Sequence, residues 1–413
     1  LFLITIVVLF SSSFLSSCRD DEDENNSSKV ERTVIVYMGA ENNLDSESNP
    51  ANSYCGRDLA EMIDGAKALG KNTNFIVYAD RLSKTEKPYI AKIDGNGMKK
   101  VRIFDEEHYS CDPAVMKDVM QWIVNNYAAE SYGLVIWGHA DGWFLRNSNN
   151  AYAKENRTRA ILPDDGTDSQ KPQKMLNITT FRNVLSTLPR FDFILFDCCG
   201  MLTAEVGYEL RNVCDYIIGS PAEVPDVGAP YDHIMNDLFL PKDQVGKKLI
   251  DDYVTYCHFK ENYGVPLSVV KTSNMEEFAK ATMTALGKFK NDFTYPKEPI
   301  VNQCIYYYND ACSSYRPAMY DIRDLMLRNL TTEDFNTWDK EFQNTVLYSV
   351  HPKKYWYTEY DINFDSFVMA DENFGGMSIY VPRGCYTNMN MNQAIMNMEW
   401  TKIVDWSRWG WGK

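Results

Sequence analysis

None of the ten cysteines forms a Cys-x-x-Cys pair, which removes the usual spacing of a structural zinc site. A Gly-x-Ser-x-Gly elbow is also missing, so a serine hydrolase built on a nucleophile elbow is set aside. Beyond the first few residues no apolar run approaches the length that spans a bilayer. Lys and Arg number 42 against 57 Asp and Glu and form no basic cluster, so with a formal charge of -15 nucleic acid is not an expected partner. No EF-hand loop and no internal repeat occur. What remains is a chain of 413 residues, 45% hydrophobic and 24% charged, with the balance of a soluble globular protein and ample length for a full core.

The N-terminus reads as a targeting segment. Leu1 to Phe10 is an apolar run interrupted only by Thr5, and Leu15-Ser16-Ser17-Cys18 resembles a bacterial lipoprotein processing box. A signal peptide over 1–17 is expected, with lipidation at Cys18. Leu1 is not an initiator Met and no basic n-region precedes the run, so translation is expected to begin upstream. Arg19-Asp20-Asp21-Glu22-Asp23-Glu24 and the polar residues behind it are too like-charged to pack, which makes 18–30 an acidic tether. That acidic run resembles the surface-export signal of Bacteroidetes-type lipoproteins. The expected location is the cell envelope of such a bacterium, as an outer-membrane or surface lipoprotein touching the membrane through its lipid alone. The cysteines form no dense disulfide framework; most are expected to be buried thiols, with Cys55–Cys111 and Cys304–Cys312 left open as bridges.

From Thr33 onward, short β-branched runs alternate with amphipathic stretches, the pattern of an α/β fold with a mostly parallel central sheet and helices on both faces. Strands are predicted at Thr33–Met38, Asn74–Tyr78, Leu134–Trp137, Phe191–Phe196 and Tyr216–Ile218, and helices at Arg57–Leu69, Pro113–Tyr127, Ile178–Leu188 and Ala204–Val213. The polar stretch 144–176 breaks the rhythm and is expected to be a long exposed loop. A catalytic domain over 31–295 and a smaller, aromatic-rich C-terminal subdomain over 296–413, packed on the sheet, complete the organisation.

Ligands of open parallel sheets collect beyond the carboxyl ends of the strands. Two strand ends carry chemistry there: Trp137-Gly138-His139 and Phe196-Asp197-Cys198-Cys199. If the strands are neighbours, an imidazole and a thiol emerge together, the minimum for nucleophilic attack on an acyl carbon. A helix starting near Leu202 would favour the thiolate through its dipole.

Five collinear segments then carry a resemblance: Tyr37-Met38-Gly39-Ala40-Glu41-Asn42-Asn43-Leu44; Arg57 to Leu82 with Asp80; Trp137 to Trp143; Phe196 to Met201; and Gly375 to Pro382. They are similar to the clostripain-like cysteine peptidases. The resemblance implies a caspase-like fold and a Cys-His dyad cutting peptides after basic residues, so the expected partners are protein or peptide substrates with Arg or Lys. It implies His139 and Cys199 as the dyad, with Cys198 standing where the family has Ala. It further implies the backbone N–H groups of Ala140 and Cys199 as oxyanion donors and Asp197 as the first candidate to receive the basic side chain, with Glu223 and Asp226 behind it. Self-cleavage in the loop after His139, near Lys154 or Arg157, belongs to the same expectation. No cofactor is required, no metal ligands are identified, calcium enters by resemblance only, and a monomer is expected. Ala140-Asp141 departs from the family's Gly-Ser, and a positive φ at Ala140 would cost about 1 kcal/mol. The competing reading is a catalytically weak or inactive peptidase fold serving as a surface binding or adhesion module.

Overall fold

The computed structural model describes residues 30–46, 53–143, 161–166, 173–257, 263–301, 304–310, 316–351, 355–356, 373–384 and 391–412. Cys18, the acidic tether, Lys154 and Arg157 lie outside the described residues. In chain order the strands are β1 (Arg32–Ala40), β2 (Thr73–Arg81), β3 (Tyr89–Asp94), β4 (Gly97–Ile103), β5 (Ser131–Trp137), β6 (Ile161–Asp164), β7 (Lys174–Leu176), β8 (Phe191–Asp197), β9 (Cys214–Gly219), β10 (Tyr263–Gly264), β11 (Leu267–Lys271), β12 (Tyr306–Asp310), β13 (Arg316–Asp321), β14 (Val346–Val350), β15 (Tyr355–Trp356) and β16 (Ser378–Tyr380).

Nine of them build one sheet in the order β14-β11-β9-β8-β5-β1-β2-β3-β4. The five central strands, β9-β8-β5-β1-β2, are parallel and coincide with the five runs predicted from apolar patterning. Antiparallel strands close both edges, β3 and β4 on one side and β11 and β14 on the other. β4, the outermost strand on its side, carries Lys99, Lys100 and Arg102 and is only partly buried, which hid it from apolar patterning and discourages further strand pairing.

The central strands bury both faces. Val34, Val36 and Met38 of β1 enter one core with Leu59 and Met62 of helix α1 (Tyr54–Gly65). Ile35 and Tyr37 enter the other with Met116, Val119 and Ile123 of helix α2 (Pro113–Asn126) and Phe181 of helix α3 (Ile178–Leu185). Ser53 caps α1 by accepting from Gly56 N, and Asp112 caps α2 ahead of Pro113 at the first helical position. The helix expected over Ala204–Val213 is the shorter α4 (Ala204–Glu209), because Thr203 takes the cap at one end and the chain turns at Leu210.

One open question is answered and one expectation is corrected. Cys55 and Cys111 are free, buried thiols lying in the opposite cores, so the sheet separates them and no bridge forms; Cys304 is a free buried thiol as well. The stretch 144–176 is not exposed throughout, since Ile161–Asp164 is a fully buried strand that pairs with β7. The C-terminal segment shares the main core: Trp338, Trp400, Trp406 and Trp411 belong to the same apolar cluster as Ile35, and β14 is an edge of the main sheet.

Candidate active site

Strands β5 and β8 are parallel neighbours with Trp137 opposite Asp197. Both chains therefore leave the sheet at the same level, and His139 and Cys199 each stand two residues beyond that last pair. The two loops remain in contact above the sheet. Gly142, at φ 73°, comes so close to the next loop that a Cβ there would sit 2.9 Å from the Gly200 carbonyl oxygen. Only glycine supplies both the left-handed conformation and the clearance.

The vicinal cysteines separate by face. Cys198 is 2% exposed and packs with the α2 and α3 side of the sheet; burial, then the neighbouring Cys199, Asp197 and Asp141, hold its thiol well above the usual range. Cys199 is half-buried and packs against the opposite core. It borders a cleft with Asp141, Gly200, Ala222, Glu223 and Tyr307. Its Sγ accepts from the Val224 N–H at 3.2 Å and lies 3.6 Å from the Val224 carbonyl oxygen. The donor aimed at this sulfur is thus a loop amide, where the sequence suggested a helix dipole; α4 begins five residues later and is only six residues long.

His139 has a partner that sequence reasoning missed. Its Nε2 lies 2.8 Å from Asn43 Oδ1, and an amide oxygen in that place calls for a proton on Nε2. The turn that presents Asn43 is built by its neighbour: Asn42 Nδ2 donates to the Gly39 and Pro163 carbonyls, both at 3.0 Å, and its Oδ1 accepts from Leu44 N at 3.0 Å. One Asn fixes the turn and the next reaches the histidine. The Asn-Asn-Leu motif following β1 was the available signal.

The loop after His139 is fastened by β6. Ala140 bridges Ile161, and Leu162 N donates to the His139 carbonyl at 2.9 Å. The positive φ that the family pattern suggested at Ala140 does not occur: the left-handed positions flanking His139 are Gly138 (φ 144°) and Gly142, and the sole non-glycine example among the described residues is Leu162 (φ 53°). Ala in place of Gly therefore carries no backbone penalty here. Leu162 is fully buried, and its side chain lies so near Gly39 and Gly138 that a Cβ at either glycine would come within 3.1 to 3.2 Å of its Cδ2.

The three candidate acids occupy different places. Asp197 is 5% exposed; its Oδ2 accepts from Ala229 N at 3.1 Å and the Tyr231 hydroxyl at 2.9 Å, while Oδ1 has no partner. Burial pushes its carboxyl up to about 6 against those stabilising donors. Nearby Asp58, which accepts from Trp137 Nε1 at 2.6 Å, is pushed up to about 9 by burial and then by Asp197. At neutral pH this pair thus holds one charge, on Asp197, and one proton, on Asp58. Glu223 is 8% exposed and borders the cleft with Cys199. Asp226 is exposed, outside that cleft, with Tyr54 as its hydrogen-bond partner.

A second acidic group stands near the ends of β1 and β2, where Glu41, Asp80 and Glu107 bring carboxylate oxygens within 4.8 Å of one another. Sequence reasoning named no metal ligands and missed it, because the three residues are far apart in the chain.

A sequence profile of the Clostripain family matches residues 36–411. Clostripain of Hathewaya histolytica is 23% identical, the alignment covering 94% of this chain and 82% of that protein. Among solved structures, the inactive zymogen protease from Parabacteroides distasonis is 26% identical with a TM-score of 0.71, over 91% of this chain and 99% of that one. A secreted cysteine protease from Bacteroides thetaiotaomicron, in complex with an irreversible peptide inhibitor, is 26% identical with a TM-score of 0.71, over 92% and 99%.

Proposed function

The chain belongs to the clostripain family and is a cysteine peptidase acting on peptides, and from that premise we propose an endopeptidase that cuts after Arg or Lys with Cys199 as nucleophile and His139 as acid and base. The observation that carries this reading is the pairing of a half-buried thiol, met by the Val224 amide, with a histidine on the adjacent strand end oriented by Asn43. His139 Nδ1 takes the thiol proton, and Sγ bonds to the scissile carbonyl carbon. The N–H groups of Ala140 and Cys199 receive the oxyanion. The tetrahedral adduct collapses as His139 gives its proton to the leaving amine, and water, deprotonated by the same nitrogen, hydrolyses the thioester. Asp197 supplies the charge that selects a basic side chain, with Glu223 at the cleft wall and Asp226, outside the cleft, as a secondary candidate. No organic cofactor enters these steps. Lipid attachment at Cys18 would hold the enzyme, as a monomer, at the cell envelope.

Hydrolysis of short fluorogenic peptides ending in Arg, Lys, Ala or Asp tests the activity; no cleavage of any of them, even after tryptic nicking, would leave a binding module. Self-cleavage near Lys154 or Arg157 is expected as well. On a denaturing gel, wild-type protein resolves into two fragments, and a Cys199→Ala variant stays whole. Identical single bands for both would remove self-processing.

Asn43 acts through His139 as a positioning residue. Asn43→Ala is expected to lower kcat by about 10- to 100-fold, the cost of a misdirected catalytic group, with KM little changed. The acidic limb of the kcat profile should move as well, since His139 loses the partner that fixes its tautomer. An unchanged profile and kcat would assign Asn43 a purely structural role.

A further inference from the structure

We infer that Asp58 is a second acid of the specificity pocket and that, paired with Asp197, it makes the enzyme favour Arg over Lys. This rests on the reading above that Asp197 receives the substrate's basic side chain. Asp58 lies on the inward face of α1, between Cys55 and Met62, where the helical period calls for an apolar residue. It is fully buried. A carboxyl in that position is costly unless its oxygens find partners.

The fold satisfies only half of it. Oδ2 accepts from Trp137 Nε1 at 2.6 Å, which ties Asp58 to the last residue of β5, ahead of Gly138 and His139. Oδ1 has no hydrogen-bond partner. Asp197 is built the same way, with Ala229 N and the Tyr231 hydroxyl on Oδ2 and no partner on Oδ1. Gly228 marks the place where the two acids converge. At φ 65°, a Cβ there would sit 2.8 Å from Asp58 Oδ2 and 3.1 Å from Asp197 Oδ2. Two buried carboxyls that meet at one point, each with a bare oxygen, suit a cationic ligand better than a structural role. Arg57, the adjacent residue on α1, lies over the Tyr54 ring.

The pair suits a guanidinium in particular. Its five N–H donors lie in one plane and exceed what a single carboxylate accepts, so a second acid takes the remaining edge. A guanidinium is also less strongly hydrated than an ammonium and enters a buried site more readily. In the resting enzyme Asp58 carries a proton, because burial, then Asp197 and Glu61, outweigh the Trp137 donor and Arg57. Tyr231, Tyr253, Cys198 and Cys257 also feel the pair. An arriving guanidinium brings a full positive charge against both acids, and the Asp58 proton leaves to solvent.

The test is Asp58→Asn, since Asn matches the protonated acid in shape and keeps an oxygen for Trp137. Its kcat/KM on an Arg-ended peptide is expected to fall about 10- to 100-fold, the scale of a hydrogen bond to a charged group, and on the matching Lys-ended peptide by less than about threefold. A second readout needs no turnover. Calorimetric titration of the wild type at neutral pH with butylguanidine, in buffers of different ionisation enthalpy, is expected to show release of about one proton, and the variant should release close to none. An Arg-to-Lys ratio left unchanged in Asp58→Asn overturns the inference. Binding to the wild type without proton release does so as well, and that measurement stands even if the variant does not fold. Failure of the underlying reading looks different: Asp197→Asn would then cleave both basic peptides as the wild type does.

Discussion

Cys199→Ala is expected to lower kcat/KM on an Arg-ended peptide by about 10⁴-fold or more, the scale of losing a covalent nucleophile. Cys198→Ala is expected to stay within about threefold of the wild type. The contrast rests on the two faces of one strand end. Cys198 is 2% exposed, in the core on the α2 side, with its thiol held protonated by burial and three neighbours; a thiol in that state is a poor nucleophile. Its truncation removes one buried sulfur and costs roughly 1 to 2 kcal/mol of stability by the usual cavity arithmetic. Cys199 faces the cleft and has the Val224 amide on its sulfur. Kinetics on both purified variants, with near-ultraviolet circular dichroism to verify folding, decides the matter. The opposite ranking, Cys198→Ala inactive and Cys199→Ala active, would reverse the assignment.

That contrast also shows what a single sequence can and cannot yield. The parallel centre of the sheet was legible because its strands are apolar on both faces, and a run such as Thr33–Met38 admits few other readings. The placement of His139 and Cys199 beyond neighbouring strand ends was legible because both follow such runs directly. Asn43 was overlooked because an Asn beyond a strand usually reads as a turn residue, and here Asn42 does that work while Asn43 does not. The acidic trio was invisible for a different reason: Glu41, Asp80 and Glu107 meet only through the register of β1 and β2 and the path of the 104–112 segment. The buried β6 was hidden by a polar neighbourhood, since three apolar residues and an Asp between two polar stretches carry no periodicity. Ala140 was misjudged because the family's Gly was taken as a conformational need, whereas the positive φ values sit at Gly138 and Gly142.

Asp197→Asn separates recognition from folding, because its effects on activity and on stability have opposite signs. Removing a buried charge that pairs with the substrate's cation is expected to lower kcat/KM for Arg- and Lys-ended peptides by about 100- to 1000-fold, while an Ala-ended peptide is little affected. In the wild type, activity on basic substrates is expected to fall as pH drops through about 6, where Asp197 gains its proton. Stability runs the other way. A carboxyl whose folded-state pKa is raised binds its proton more tightly in the folded chain, so stability is lost as pH rises from the unfolded value of 3.8 to about 6. The loss amounts to roughly 3 kcal/mol above that window. Asn cannot ionise and keeps an amide oxygen for Ala229 N and the Tyr231 hydroxyl. Relative to wild type, the variant is therefore expected to gain stability between pH 4 and 6 and to hold that gain at pH 8, where its activity on Arg substrates is almost gone. Denaturant unfolding at pH 4 and 8, beside kinetics on both peptides, measures the two effects. A variant that loses stability at pH 8 together with activity on the Ala-ended peptide would make Asp197 a support for the 221–230 loop instead of the residue that chooses the substrate.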